Sequence, residues 1–249
     1  MHYNWNWGIF WQDSPSGVGT YLDSLLIGLK WTILLSVSSW IMALTIGIIV
    51  GVINSSSNKL LVFLTNCYIE LFRNIPLMVQ MFLWYYAVPE MLTDDLGHWI
   101  KNSIYSSFIT AFLALGFFTS SRIAIQFSAG IKALPGGQKM AATALGMTAL
   151  QKYRYILLPL AFRIILPSLI NEFAAIIKNS SVALTIGLIE LTAAAYSMRE
   201  FTFQTFESLT GVTVIYIAIS AIALLLAGRL EKAVTIPGFV VRNINIGGR

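Results

Sequence analysis

The sequence predicts an all-α integral membrane protein crossed by five helices. Three observations carry that expectation. Of the 249 residues, 57% are hydrophobic and 11% are charged, whereas about a quarter of a typical soluble domain is charged. So large an apolar surplus cannot be hidden inside one water-facing globule of this size, and lipid must cover it. Five apolar stretches each reach the roughly 20 residues that a helix needs to cross the hydrocarbon core, and the Lys and Arg residues between them gather on one side.

Residues 1–23 form an interfacial segment on the outer face. Met1 to Thr20 contains no Lys or Arg but carries Trp5, Trp7, Phe10 and Trp11. It lacks the basic region, apolar run and cleavage site of a signal peptide, so it is expected to stay attached with its tryptophans at the membrane surface. A transmembrane domain follows over 24–232, with spans at 24–53, 61–88, 105–131, 156–189 and 211–230, and then a tail over 233–249. Asn74 and Pro76 interrupt the second span. The fourth carries Pro159 and Pro167, with Asn171, Glu172, Lys178, Asn179, Ser180 and Ser181 beyond them. Both are expected to be kinked or locally unwound, which a membrane tolerates only where protein or a wet cavity satisfies the freed backbone groups.

Nine basic residues outside the spans share one side: Lys59, Lys132, Lys139, Lys152, Arg154, Arg229, Lys232, Arg242 and Arg249. Lys101 and Arg199 stand on the other, among most of the acidic residues. The asymmetry puts the amino terminus outside and the carboxyl terminus in the cytoplasm. It also accounts for the formal charge of +5 without invoking nucleic acid. Cys67 is the single cysteine, which excludes an intrachain disulfide.

The cytoplasmic stretch 132–155 predicts two short helices. Gln138 to Ala144 is rich in good helix formers, Gly146 marks a stop, and a second short helix leads to Pro159. Such a knob can plug into a groove on a soluble partner. Ala141-Ala142, three residues, Gly146, nine residues, then Ile156-x-Leu158-Pro159 resembles the E-A-A-x3-G-x9-I-x-L-P signature (the EAA loop) of permease subunits in binding-protein-dependent ABC importers, with Met140 where the family has Glu. Glu70-Leu71-Phe72-Arg73-Asn74-Ile75-Pro76-Leu77-Met78-Val79-Gln80 is similar to the E-x-F-R-x-T-P-L-x-V-Q segment of the polar-amino-acid branch, with Ile75 for the usual Thr. Ile177-Lys178-Asn179-Ser180-Ser181 is similar to another run of that branch. The aromatic opening Asn4 to Phe10 and the stretch Arg154 to Arg163 look most like a permease subunit of the glutamate/aspartate importers.

The resemblance implies a type I (MetI-like) ABC importer permease in the bacterial inner membrane, with residues 1–23 in the periplasm. It implies a second permease subunit, in a heterodimer or alternatively a homodimer, two cytoplasmic ATPase subunits and a periplasmic substrate-binding protein. ATP and Mg²⁺ then belong to the ATPase chains, and this chain binds no cofactor and catalyses no reaction. Gln138, Met140, Ala141, Ala142, Gly146, Ile156 and Pro159 become the coupling residues. Glu172, Asn179, Ser180 and Ser181 become contacts for the amino acid, with glutamine or another polar amino acid as the alternative to glutamate and aspartate.

Ionisable groups at membrane depth are costly and point to a function or a partner. Glu70 and Arg73, three residues apart, are expected to neutralise one another or, with Pro76, to serve a gate or subunit contact. Lys30 and Arg163 lie near span ends, where snorkelling is the simple reading, and Lys178 is read as a cation facing lipid or a neighbouring subunit near the outer end. Arg122 precedes Lys132 by ten residues, about 15 Å along a helix and so near the middle of the core. Gln126 follows one turn later on the same face, joining Thr119 in a polar stripe. A guanidinium offers a carboxylate a bidentate partner. Arg122 therefore either reads an acidic substrate, with Gln126 beside it, or forms a buried pair with Glu172.

No G-x-x-x-x-G-K-[ST] phosphate loop is present, so this chain does not supply ATP hydrolysis. The two histidines, His2 and His98, fall outside the spans and form no metal or catalytic constellation. A self-contained channel or secondary carrier would not need the docking loop.

Overall fold

The computed structural model describes residues 3–15, 17 and 19–234. The tail expected from 233 onward, with Arg242 and Arg249, lies outside the described residues beyond Val234. Within them the chain is helical, with one isolated backbone bridge between Asp13 and Thr20.

A 3-10 turn, Trp7–Trp11, precedes α1 (Tyr21–Asn54). The first long helix begins where Thr20 and Asp23 cap one another reciprocally, satisfying two of the amides that every helix start leaves open. Then α2 (Lys59–Asn74) and α3 (Leu77–Met91) meet at a bend of 100°. The second predicted span is thus a broken one. Pro76 lacks the N–H that would continue α2, and Gln80, 2% exposed, repairs the break. Its Nε2 donates to Phe72 O at 2.7 Å and Ile75 O at 2.9 Å, two carbonyls at the break.

The outer amphipathic helix α4 (Asp94–Asn102) leads into α5 (Ser106–Lys132), which packs along α1 over most of its length. Gly47 and Gly51, four apart on α1, permit the approach. A Cβ at Gly47 would lie 2.6 Å from Ile123 Cγ2, and one at Gly51 2.7 Å from Ala124 O. Small residues at this spacing let helix backbones pack closely where lipid supplies no hydrophobic drive.

Two short helices, α6 (Gly136–Ala144) and α7 (Ala149–Lys152), are followed by a π turn over Tyr153–Leu157 and by α8 (Leu158–Asn179). Pro159 occupies the first turn of α8, where no amide is needed, and Pro167 is accommodated inside it. Beyond Asn179 the helix tightens into a 3-10 turn over Ser180–Ile186, closed by Gly187 at φ 82°. The fourth predicted span is therefore irregular at both ends, in the π turn just before Pro159 and in the 3-10 turn beyond Asn179, and stays α-helical at Pro167. Finally α9 (Leu191–Thr202) packs on α1, and α10 (Thr205–Val234) packs on α8 and α9.

The core runs between α1, α5 and α8, through Ala43, Ile123, Phe127, Ile165 and Leu169 toward the inner end and Leu35, Ala114, Leu115 and Ile176 toward the outer end. Large apolar side chains cover the opposite faces, among them Ile41 and Ile49 of α1, Leu60, Phe63 and Leu64 of α2, and Ile217 and Leu225 of α10. Those faces suit lipid or a second membrane subunit.

Candidate functional site

On α8, Glu172 falls between Leu169 and Ile176, the core-facing positions one turn below and one above, so that helix periodicity alone turns its carboxylate inward. It is 8% exposed. Facing it, α5 presents Arg122 and Gln126 one turn apart. Arg122 Nε donates to Glu172 Oε2 at 2.8 Å and Nη2 donates to Oε1 at 3.0 Å, while Gln126 Nε2 donates to Oε1 at 3.0 Å. The bidentate fork is the strong form of this pair. It resolves the alternatives for Arg122 in one respect: the guanidinium does have Glu172 as its partner.

The pair is not sealed. The Arg122 side chain is 46% exposed against 9% for that of Glu172. Its Nη1 face makes no hydrogen bond among the described residues, and its Cζ lies 5.9 Å from the centre of the Phe118 ring. Gln126 Oε1 is buried without a partner; its amide is held in this orientation because the carboxylate requires the NH2 end. Such an orphaned acceptor is uncommon. Together these groups offer a mid-membrane site with one half-open cation, one carboxylate and one waiting acceptor.

The other predicted contacts are placed differently. Asn179 lies two turns above Glu172 and is half-buried. Ser180 is fully buried and donates to Ile177 O at 2.7 Å, and Ser181 donates to Lys178 O at 2.7 Å. The turn that tightens the helix here spends both hydroxyls on it. Lys30, Arg163 and Lys178 are exposed on their helices, as snorkelling or outward-facing cations would be.

The local pair between Glu70 and Arg73 is a correction. Glu70 Oε2 instead accepts from Asn74 Nδ2 at 2.6 Å, and no ion pair to Arg73 is formed. Asn74 is the last residue of α2, one turn beyond Glu70, and the carboxylate ties off the end that the bend leaves frayed. Both acidic and basic side chains, with Pro76, are exposed at the corner.

Residues 136–152 form the expected pair of short helices. Gly146 has φ 71° between α6 and α7, a left-handed conformation that favours glycine. Ala142 is buried, while Met140, Leu145 and Leu150 are 69%, 80% and 76% exposed. Gln138 and Ala141 lie on α6, Ile156 is in the π turn and Pro159 opens α8. The hairpin thus presents apolar side chains on an exposed face.

Residues 43–236 match the family described as binding-protein-dependent transport system inner membrane component. The chain belongs to that family. This permease-family member is 40% identical over 252 residues, covering all of both chains, to the glutamate/aspartate import permease protein GltJ of Escherichia coli K12. It is 31% identical over 218 residues to the glutamate/aspartate import permease protein GltK of E. coli O157:H7, covering 87% of this chain and 96% of that one. A crystal structure of an amino acid ABC transporter with histidines superposes with a TM-score of 0.73 at 29% identity, over 86% of this chain and 95% of the other. An inward-facing MetNI methionine ABC transporter shares the fold, with a TM-score of 0.71 at 17% identity over 85% and 96%. The permease is thus a transport component of an amino-acid ABC importer and not an enzyme.

Two residues that matter were not singled out from sequence. Gln80 was seen only as part of a motif; its signal was a polar residue four after a mid-span proline. Glu190, one of the acidic residues on the side of Lys101 and Arg199, is 0% exposed. It accepts from Thr192 N and Ala193 N, each at 2.9 Å, and from Tyr216 Oη at 2.8 Å. Its position directly before an Ala-rich helical run was the signal of a helix cap. Burial pushes its carboxyl above the usual carboxylate range against the pull of these donors.

Proposed function

We propose that this permease carries glutamate and aspartate across the inner membrane through a pathway lined by Arg122, Gln126 and Glu172. The half-open guanidinium at mid-membrane depth carries the reading. A substrate side-chain carboxylate can take the free Nη1 face of Arg122, and, as the existing fork loosens, the substrate ammonium can take Glu172 and the orphaned Gln126 Oε1. Each charge then keeps an opposite partner throughout, as a site at membrane depth requires. Asn179, with the turn at Ser180 and Ser181, lies above on the outer route. The names of the GltJ and GltK relatives support the acidic substrate.

The chain works beside a second permease subunit, two ATPase subunits that hold ATP and Mg²⁺, and a periplasmic binding protein. Its α6–α7 hairpin plugs into the ATPase, the amino terminus is periplasmic, and Glu70, Arg73 and Pro76 lie at a subunit contact. Proteoliposomes carrying the whole assembly should take up labelled glutamate and aspartate only with ATP inside, with unlabelled glutamine a weak competitor. Equal uptake of glutamine would replace the acidic-substrate reading with a general polar one. Single cysteines at Ser56, Asp95, Gly137 and Phe203 should label from the inside, outside, inside and outside in turn. Gly146→Val, which places a β-branched residue at positive φ, should leave the chain inserted but release the ATPase on co-purification.

A further inference from the structure

The docking hairpin must pass its movement to the helices that hold the site, and the hydrogen bonds show where it is tied. Among the described residues, the Tyr153 hydroxyl makes the only side-chain hydrogen bonds from residues 136–157 to the rest of the chain. Its oxygen lies 3.3 Å from Ser55 O and 3.2 Å from Ser55 Oγ. Because Ser55 Oγ already donates to Val52 O at 2.8 Å, the single tyrosine proton is shared between these two acceptors.

Ser55 directly follows Asn54, the 6% exposed last residue of α1. Asn54 Nδ2 donates to Thr65 Oγ1 at 3.0 Å and Asn66 Oδ1 at 2.6 Å on α2. Its Oδ1 accepts from Ser128 Oγ at 2.7 Å and Lys132 Nζ at 3.4 Å on α5. Both ends of one amide are therefore filled, and they bind three membrane helices into one body at the inner surface. Ser128 stands six residues below Arg122 on α5, about 9 Å along a continuous helix. Glu172 lies on α8, into which the π turn of Tyr153 leads directly. π turns inside helices recur at functional positions. A shift of the hairpin thus reaches Arg122 through Tyr153, Ser55, Asn54 and Ser128, and reaches Glu172 through the π turn itself.

We propose that Tyr153 is a positioning residue for transport, which ties the docking hairpin to the α1–α2 corner so that ATPase movement shifts α5 against α8 at the Arg122–Glu172 site. The proposal rests on the importer reading above. It acts through Ser55 and Asn54 and makes no contact with substrate.

The test uses the full assembly in proteoliposomes, measuring uptake, ATP hydrolysed per amino acid transported, and yield of ATPase-bound complex. Tyr153→Phe should keep the complex yield and lower uptake per complex roughly five- to tenfold, the worth of one neutral hydrogen bond, while raising the ATP consumed per molecule carried. Tyr155→Phe, at an exposed neighbour, should change neither. Ser55→Ala, which keeps the carbonyl acceptor, should raise the ratio less, and adding it to Tyr153→Phe should add nothing. That milder variant decides the matter if Tyr153→Phe assembles poorly. An unchanged ATP ratio in Tyr153→Phe, with normal wild-type uptake, overturns this proposal alone; a wild-type assembly without ATP-driven uptake overturns the importer reading and this proposal with it.

Discussion

Three glutamates are buried among these helices, Glu172, Glu190 and Glu207, and the first two are satisfied in opposite ways. Glu190 is surrounded by donors from three helices: two amides of α9 that its side chain caps, the Tyr216 hydroxyl of α10, and Thr32 Oγ1 of α1 at 3.5 Å. Thr32 Oγ1 in turn accepts Leu191 N at 3.1 Å, and a Cβ on Gly28 would come within 2.9 Å of Glu190 O. The carboxylate is a brace at which three helices meet. Glu172 has a single ionic partner whose outer face is open, beside an amide whose oxygen has no partner. A closed shell of fixed dipoles holds structure; an ion pair with capacity left over can exchange partners. Burial alone does not separate a site from a brace; what differs here is an ion pair open on one face beside an unpaired acceptor.

The comparison breaks first at Arg122. Arg122→Gln should reduce glutamate and aspartate uptake roughly ten- to hundredfold, as loss of a charge-assisted hydrogen bond worth about 1.5–3 kcal/mol requires. It also leaves Glu172 without its cation, so some loss of assembled protein is expected. Pairing it with Glu172→Gln should restore assembly and not uptake. Recovered transport in the double variant would make Glu172 a brace like Glu190.

Glu190→Ala tests the other side. It removes a helix cap and one of two partners of the Tyr216 hydroxyl, which keeps Thr192 Oγ1 at 3.1 Å, together about 1–3 kcal/mol. Thermal stability in detergent should fall accordingly, while uptake per folded complex should stay near the wild-type level. A selective loss of uptake at normal stability would move Glu190 into the pathway.

The smallest effect is a pH slope. Burial raises the Glu190 carboxyl above its unfolded value, so below the unfolded pKa both states are protonated and no penalty arises. As pH rises from there through the folded pKa the cost of ionising the buried group accumulates and stability declines. Glu190→Gln should flatten that slope while keeping most of the cap. An unchanged slope would assign it to other groups.

Much of this was legible in one dimension. Apolar runs of membrane length located the long helices because the lipid core admits little else, and Pro76 announced the break because a proline cannot continue the helix. Gly146 could be read as the turn between two short helices because positive φ is costly for other residues. The depth of Arg122 followed from a helix rise of constant size, and that depth was enough to single it out. What the helix rise could not supply was the neighbour across the gap. Glu70 and Arg73 had the right spacing for a pair, yet Asn74 took the carboxylate at the bend. Glu190 had the sequence context of a surface cap, yet α1 and α10 close over it. Ser180 and Ser181 had the chemistry of ligands, yet the tightened turn uses their hydroxyls. Periodicity and transfer cost act along the chain and are written in it; which groups remain unsatisfied depends on how separate helices pack, and that is decided only in three dimensions.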